Sequence, residues 1–385
     1  MNADTATPSG PRPDLRRAYS QQTDAAQAVQ EIATALQGGP LSGILFFCSP
    51  HYSRESLAAA FTKHFSCPTI GCTTAGEICT PAGYIEHGLV AIGFYAPAFS
   101  IRPVLIPSLR RYLENPDPSI FFPMTATGTR GRFAWLLIDG MSLLEERVVT
   151  HIHHALGDIP LIGGSAGDGM SFKETQVFHN GSFYDKAAVV TIISTPLMFK
   201  PFQMQHFEPT DSKLVVTESD VRQRVVYEIN GHPAAEEYAR AVGVPSDQLS
   251  PAVFASHPVI LRIGGEYYVR SIQKANPDQS LTFYCAIDNG AVLSLAASRP
   301  LAQDVEKRFE QLRSDLGKLQ LILGCDCILR RLESEQHDQF ASINQVLAEY
   351  PFAGFSTYGE QFGGQHMNHT LTGVAIGSRV ERAFQ

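Results

Sequence analysis

Short apolar runs along this chain alternate with stretches of helical periodicity, and the two together predict most of its elements. A helix fits residues 23–37, with Thr23 as cap and Gly38-Gly39-Pro40 as stop. The run Gly43–Cys48 predicts a buried strand, Ser53 caps a second helix through Phe65, and Pro68–Cys72 returns as a strand. This strand–helix–strand rhythm predicts an α/β arrangement. Gly88–Tyr95 and Ile101–Ile106 read as neighbouring strands, and 108–131, rich in Pro, Thr and Gly, as a long surface excursion. Ala134–Ile138 is a further buried strand, Ser142 opens a helix ending near Leu156, and Ile159–Ile162 leads into a glycine run at 163–169. Strands at Gln176–Phe178 and Ala187–Ile193 close a first lobe.

Thr195–Pro209, broken by prolines, is the expected joint between two lobes. The second lobe opens with strands at Lys213–Thr217 and Arg224–Ile229 and a helix that starts at Pro233 and closes on Gly243. Val259–Ile263 and Tyr267–Ile272 form a hairpin around Gly264-Gly265, and Leu281–Ile287 and Ala291–Leu295 a second around Asn289-Gly290. A long helix fits Ala302–Leu316, a strand Leu319–Leu323, a last helix Gln339–Tyr350, and strands Gly354–Tyr358 and His366–Ile376 end the pattern. The fold class is therefore α/β (mixed α+β), with two lobes of partly antiparallel sheet covered by helices. Residues 1–20 read as a loose arm, and no internal repeat of short period is evident.

Composition narrows the function. Of 385 residues, 44% are apolar and 18% charged, enough for a sizeable core. The 38 acidic residues outweigh 30 basic ones, and no basic stripe is available to neutralise phosphates, which argues against nucleic acid as a partner. The seven cysteines include no CxxC pair and read as small core residues in a reducing compartment. No signal peptide and no apolar run of membrane-spanning length is present, so the cytoplasm is expected.

Four segments carry candidate chemistry. Gly163-Gly164-Ser165-Ala166-Gly167 matches the G-x-S-x-G elbow of hydrolases, but Asp168-Gly169 follows where that elbow needs a helix, so a glycine-rich turn is expected instead. His151, His153 and His154 lack the intervening glutamate of a zinc-hydrolase helix. Gly71-Cys72-Thr73-Thr74-Ala75-Gly76-Glu77 is a polar turn after a strand; Thr73, Thr74 and the backbone amides there hold a polar ligand group, or the glycines serve only to reverse the chain. In the tail, two-residue periodicity places His366, Asn368, Thr370 and Thr372 on one face and Met367, His369 and Leu371 on the other. That row reads equally as a ligand patch or an internal hydrogen-bond ladder.

Taken together, GCTTAGEI at 71–78, GGSAGD at 163–168 and the tail GEQFGGQHMNHTLTGVAIG at 359–377 resemble the FIST family of intracellular sensory proteins. The resemblance extends over an N-terminal region at 28–220 and a C-terminal region at 221–370. QHFEPTDSKLVVTE at 205–218 and EINGHPAAEEYAR at 228–240 resemble the family's nitric-oxide-sensing branch. That resemblance implies haem b held non-covalently, nitric oxide as the ligand, and a partner histidine kinase or cyclic-di-GMP enzyme (diguanylate cyclase or phosphodiesterase). It also implies a histidine on the iron: His206 first, beside Phe202 and Phe207, then His366 with Asn368 on its face, then His257. Arg262, Arg270 and Tyr358 are the expected propionate partners. The resemblance implies no enzymatic activity. Two other classes stand beside it: a haem-free module that binds a small molecule such as an amino acid at the GCTTAGE and GGSAGD turns, and a hydrolase using Ser165.

Overall fold

The computed structural model describes residues 14–121, 131–263 and 265–380. Three successive stretches of chain fold into the same unit. The first consists of strand Leu15–Ser20, helix Ala25–Ala35, strand Leu41–Cys48, helix Arg54–His64, strand Thr69–Thr73, a hairpin Glu77–Cys79/Gly83–Ile85 and strand Leu89–Tyr95. The second repeats this order with Ser100–Ile106, Leu109–Glu114, Gly131–Ile138, Glu145–Leu156, Leu161–Ser165, the hairpin Val177–His179/Ser182–Tyr184 and Ala188–Thr195. The third uses Leu197–Met204, Leu301–Leu316, Leu319–Cys327, Ile328–Gln336, Phe352–Thr357, the hairpin Glu360–Phe362/Gln365–Met367 and Leu371–Val380.

The pairing is identical each time. The closing strand lies antiparallel between the opening strand and the long central one, and the central strand pairs parallel with the strand after its helix. Each hairpin leaves its own sheet. Glu77–Cys79 extends the third unit's sheet at Phe352–Thr357, Val177–His179 the first unit's at Thr69–Thr73, and Glu360–Phe362 the second unit's at Leu161–Ser165. The exchange closes on itself after three steps, so the three six-stranded sheets form one interlocked body. Backbone conformation repeats as well. His87, Lys186 and His369, each just ahead of a closing strand, adopt left-handed φ values of 57°, 48° and 55°, uncommon for residues other than glycine.

This architecture explains why the central strands read as unbroken apolar runs. Leu45 and Phe47 point into a core shared by all three sheets, with Phe133, Trp135 and Leu137 from the second unit and Leu321 and Leu323 from the third. The alternate residues Ile44 and Phe46, Leu136 and Ile138, and Ile322 pack beneath the helices of their own units. A strand buried on both faces has no polar side to show.

Residues 205–300 interrupt the third unit after its opening strand. They build an eight-stranded sheet around Phe207–Asp220 and Val292–Ser298, with helices Ala234–Val242 and Pro251–Ser256 and a core of their own about Leu214, Tyr238, Phe254 and Leu293. This is the inserted domain.

The mixed α/β class is as expected, while several details differ. Leu15–Ser20, read as part of a loose arm, is an edge strand held by Leu89–Tyr95; residues 1–13 lie outside the described residues. The expected joint at 195–209 is largely the strand Leu197–Met204. The hairpin around Asn289-Gly290 does not form, because Leu281–Phe283 pairs with Val225–Ile229 whereas Val292–Ser298 pairs with Phe207–Asp220. The tail strand expected over His366–Ile376 is broken at residues 368–370 by the left-handed His369, so the even alternation read across it does not hold. The internal repeat is hidden in the sequence because its period is long and its residues differ.

Candidate functional site

Ligand sites in open α/β sheets form beyond the C-terminal ends of parallel strands. The repeat creates three such places, and the chain treats each differently.

Beyond Leu41–Cys48 and Thr69–Thr73 lies an open cleft of about 220 Å³. Ser49, His51, Thr74 and His87 line it, with Met170 and the helix Ile328–Gln336 opposite. Thr74 is among the residues that line this hollow. Its hydroxyl donates to the Glu77 carboxyl and accepts the Gly76 N–H at 3.1 Å. Thr73 does not reach the cleft; its oxygen accepts the Gln176 N–H at 3.1 Å. Arg331 ties Glu335 and Glu86 together across the opening, at 2.8 and 2.6 Å. Gly76, at φ 138°, has to be glycine: a Cβ there would stand 2.7 Å from Arg331 Nη1. Replacing Gly76 by Ala is accordingly expected to lower the melting temperature, a loss that removing the Arg331 side chain in the same protein would partly restore.

The equivalent place in the second unit is filled by its own side chains. Asp168 accepts N–H bonds from Phe172, Lys173 and Glu174, each at 2.8 Å, and the Tyr358 hydroxyl. The ring of Tyr358 stacks on Phe172 at 4.6 Å.

The third place, beyond Leu319–Cys327 and Phe352–Thr357, is roofed by the inserted domain. Thr357 donates to Glu360 as Thr74 does to Glu77, and Glu360 also accepts the Thr370 N–H and hydroxyl. Burial pushes both carboxyls up to about 8, against the hydrogen bonds they receive. Around this turn buried polar atoms are left without partners: Gln361 Oε1, Asn368 Oδ1 and His369 Nε2. Asn368 spends its amide N–H on Tyr358 O at 3.2 Å, and His369 Nδ1 lies 2.8 Å from Ser271 Oγ of the inserted domain. Arg270, next to Ser271 and only 9% exposed, has an unpartnered Nε and no carboxylate within ion-pair distance among the described residues. Unsatisfied buried groups are rare, and a buried cation without a counter-charge is costly. The roof is held down by Arg224, which reaches from the inserted domain to Glu145 and Glu146 of the second unit. Glu146 further accepts the Ala286 N–H at 3.0 Å.

The histidines implied by the resemblance are dispersed. His206 is fully buried with both ring nitrogens engaged: Arg330 Nη1 donates to Nδ1 at 3.1 Å, so Nε2 carries the proton and donates to Glu333 at 2.8 Å. Burial, helped by Arg330 and opposed by Glu333, holds it below its ordinary value. His366 bonds Gln361 through Nδ1 at 3.1 Å, and its ring is pressed so closely on Gly359 that a Cβ there would lie 2.3 Å from Cε1. Burial lowers it to about 4. His257 is exposed at the end of Pro251–Ser256. A porphyrin does not fit these residues as they stand: His206 has no nitrogen to give, His366 is wedged against backbone, and neither lines the open cleft. Of the expected propionate partners, Arg262 is exposed and lies over the Tyr267 ring, Tyr358 is bound to Asp168, and Arg270 is buried, with its Nη1 donating to Val269 O at 3.3 Å and no carboxylate partner among the described residues. His369, placed by alternation on the wrong face, has a buried nitrogen without a partner, as His153 does among the described residues, and nothing in the sequence signals it. No group of three or more His, Cys, Asp or Glu among the described residues is arranged to hold a metal.

Hydrolase chemistry at Ser165 finds no support in this geometry. Ser165 ends a buried strand, is 1% exposed, and accepts the Gln361 amide at 2.9 Å, where an elbow serine would face solvent. The cysteines are likewise inert. Burial raises the Cys48, Cys72, Cys79, Cys285, Cys325 and Cys327 thiols, and Cys67 alone is partly exposed. A thiol-exchange reagent at neutral pH is expected to titrate no more than one thiol in the native protein and all seven after denaturation.

Comparison with known proteins is consistent with this architecture. The FIST N domain model matches residues 42–232 and the FIST C domain model residues 234–363. Their boundary falls within the sheet of the inserted domain, between Val225–Ile229 and the helix Ala234–Val242, so it does not divide the structure. An uncharacterised protein of Methanocaldococcus jannaschii is 25% identical over 222 residues, covering 53% of this chain and 41% of that relative. The match thus spans well under two thirds of the relative's length. No helix among the described residues is long and apolar enough to cross a membrane.

Proposed function

The chain belongs to the FIST family, whose domains are sensory signalling modules, and from that premise we propose that it detects a small carboxylate-bearing solute, an amino acid in the first instance, where the inserted domain covers the strand ends of the third unit. The reading rests on Arg270, buried with no carboxylate partner among the described residues, and on the buried acceptors Gln361 Oε1 and Asn368 Oδ1, which lack hydrogen-bond donors. A carboxylate on the guanidinium and an ammonium on the amide oxygens would satisfy all of them at once. The ligand would lie between the inserted domain, which supplies Arg270 and Ser271, and the core, which supplies Gln361, Asn368 and His369. Binding would then favour the state in which the two are pressed together, and a partner reading the inserted domain would respond to that shift. No bond of the ligand is made or broken in this scheme.

Calorimetry of haem-free protein against the amino acids tests it. At least one should bind stoichiometrically, and Arg270→Gln should weaken it by tenfold or more without lowering the melting temperature of ligand-free protein, because a neutral amide costs less to bury than an unpaired cation. Unchanged affinity in Arg270→Gln rules out this anchor.

The alternative is the haem reading, with nitric oxide as ligand and a histidine kinase or cyclic-di-GMP enzyme as partner. The free Nε2 of His369, its Nδ1 already held by Ser271, is the feature that favours it. A Soret band in protein loaded with haem, shifted or lost in His369→Ala and retained in His206→Ala, would replace the amino-acid reading with this one.

A further inference from the structure

The open cleft of the first unit holds a facing pair of imidazoles. His51 and His87 come from different loops of the first unit, and their Nδ1 atoms face one another at 2.9 Å, the rings nearly perpendicular at 80°. Ser49 Oγ lies 3.0 Å from the same Nδ1 of His51. Both residues are exposed, at the mouth of the cleft. In water a single N–H···N bond gains little, so the bond between the two rings is a weak reason for them to meet. Two neutral imidazoles offering Nδ1 to one point are a chelate for a cation that prefers nitrogen.

We propose that His51 Nδ1 and His87 Nδ1 bind a single first-row transition-metal dication of the imidazole-preferring kind, copper(II), nickel(II) or zinc(II), at the mouth of this cleft. Metal–nitrogen bonds of ~2.0–2.1 Å at a tetrahedral angle separate two ligand nitrogens by roughly 3.3 Å. The pair therefore needs to open by only a few tenths of an ångström, and exposed rings do so freely. The local charge suits a cation: Glu86 and Glu335 line the cleft against one arginine, Arg331. Two protein nitrogens leave the remaining positions to water. Such a site exchanges its metal with solution and does not act as a structural staple.

The test is titration of the full-length protein, free of any polyhistidine tag, with copper(II) and zinc(II), followed by calorimetry and, for copper, by electron paramagnetic resonance. One ion per chain should bind, with hyperfine structure from two imidazole nitrogens. His51→Ala and His87→Ala should each weaken binding at least tenfold, and His232→Ala, at an exposed histidine of the inserted domain, should leave it unchanged. All three sites are exposed, so the variants should retain the parent melting temperature. Equal affinity in either His51→Ala or His87→Ala overturns the proposal. Neither histidine is among the residues proposed for the amino acid, so the outcome is independent of that reading.

Discussion

Arg224→Ala is expected to destabilise the protein by about 3–5 kcal/mol, the usual cost of removing one partner of a buried ion pair. Arg224 is 5% exposed and places one guanidinium nitrogen between Glu145, itself 1% exposed, and Glu146. Its Nη1 also donates to Tyr284 O at 2.8 Å. Without it two carboxylates face each other under the inserted domain, close to the buried His366. Thermal or urea unfolding measures the loss. The physical cause can be separated from mere loss of packing by pairing Arg224→Ala with Glu145→Gln: removing a charge from each side should recover a large part of the stability, since much of the single-variant cost is an uncompensated buried charge. An unfolding midpoint for Arg224→Ala equal to the parent's would mean that the inserted domain is held by other contacts. Because this clamp holds the inserted domain against the second unit, the variant should also bind the proposed solute more weakly.

Stability is expected to fall as the pH rises from about 6.5 to 8, with two side chains responsible. Glu77 and Glu360, ordinarily near 4.5, are pushed up to about 8 by burial. A carboxyl that is harder to ionise in the folded state contributes its full stabilisation below its unfolded value and loses it as the pH climbs through the folded one. Between about 4.5 and 6.5 this loss is opposed by His366 and His369, lowered by burial to about 4 and about 3, whose buried neutral rings favour folding more as the pH rises. Above 6.5 the histidines are neutral in both states and the glutamates act unopposed, each worth up to roughly 1.4 kcal/mol per pH unit. Glu77→Gln and Glu360→Gln should each flatten the slope, and together largely abolish it, because an amide of the same shape carries no proton to lose. A pH-independent melting temperature in the parent between 6.5 and 8 would show that these carboxyls ionise freely.

Much of the core is legible in the residues themselves. The runs at 43–48 and 134–138 announce buried strands, and Ser53 announces a helix start that it does cap, accepting the Ser56 N–H at 3.2 Å. The turns at 71–77 and 163–168 stand out as special, since glycine-rich chain between a buried strand and a reversal has few purposes. The site residues are harder to read. Alternation through 366–376 treats the segment as one strand and puts His369 with Leu371, away from the polar row. A single left-handed residue ends the strand, turns His369 toward Ser271, and leaves Asn368 donating to Tyr358 O. His206, attractive among its phenylalanines, is a link between Arg330 and Glu333, residues 124 and 127 positions further along the chain.

Local order, then, belongs to the sequence: propensity, capping and the length of an apolar run act between near neighbours, and they suffice to choose strand or helix. Which faces meet does not. The threefold exchange of hairpins, the sheet that spans the boundary between the two family regions, and the meeting of Ser271 with His369 all depend on contacts between residues far apart in the chain. Such contacts are chosen by the packing of whole layers, where shape and burial are satisfied jointly. The tertiary structure alone decides whether a buried polar group is paired or left waiting for a ligand.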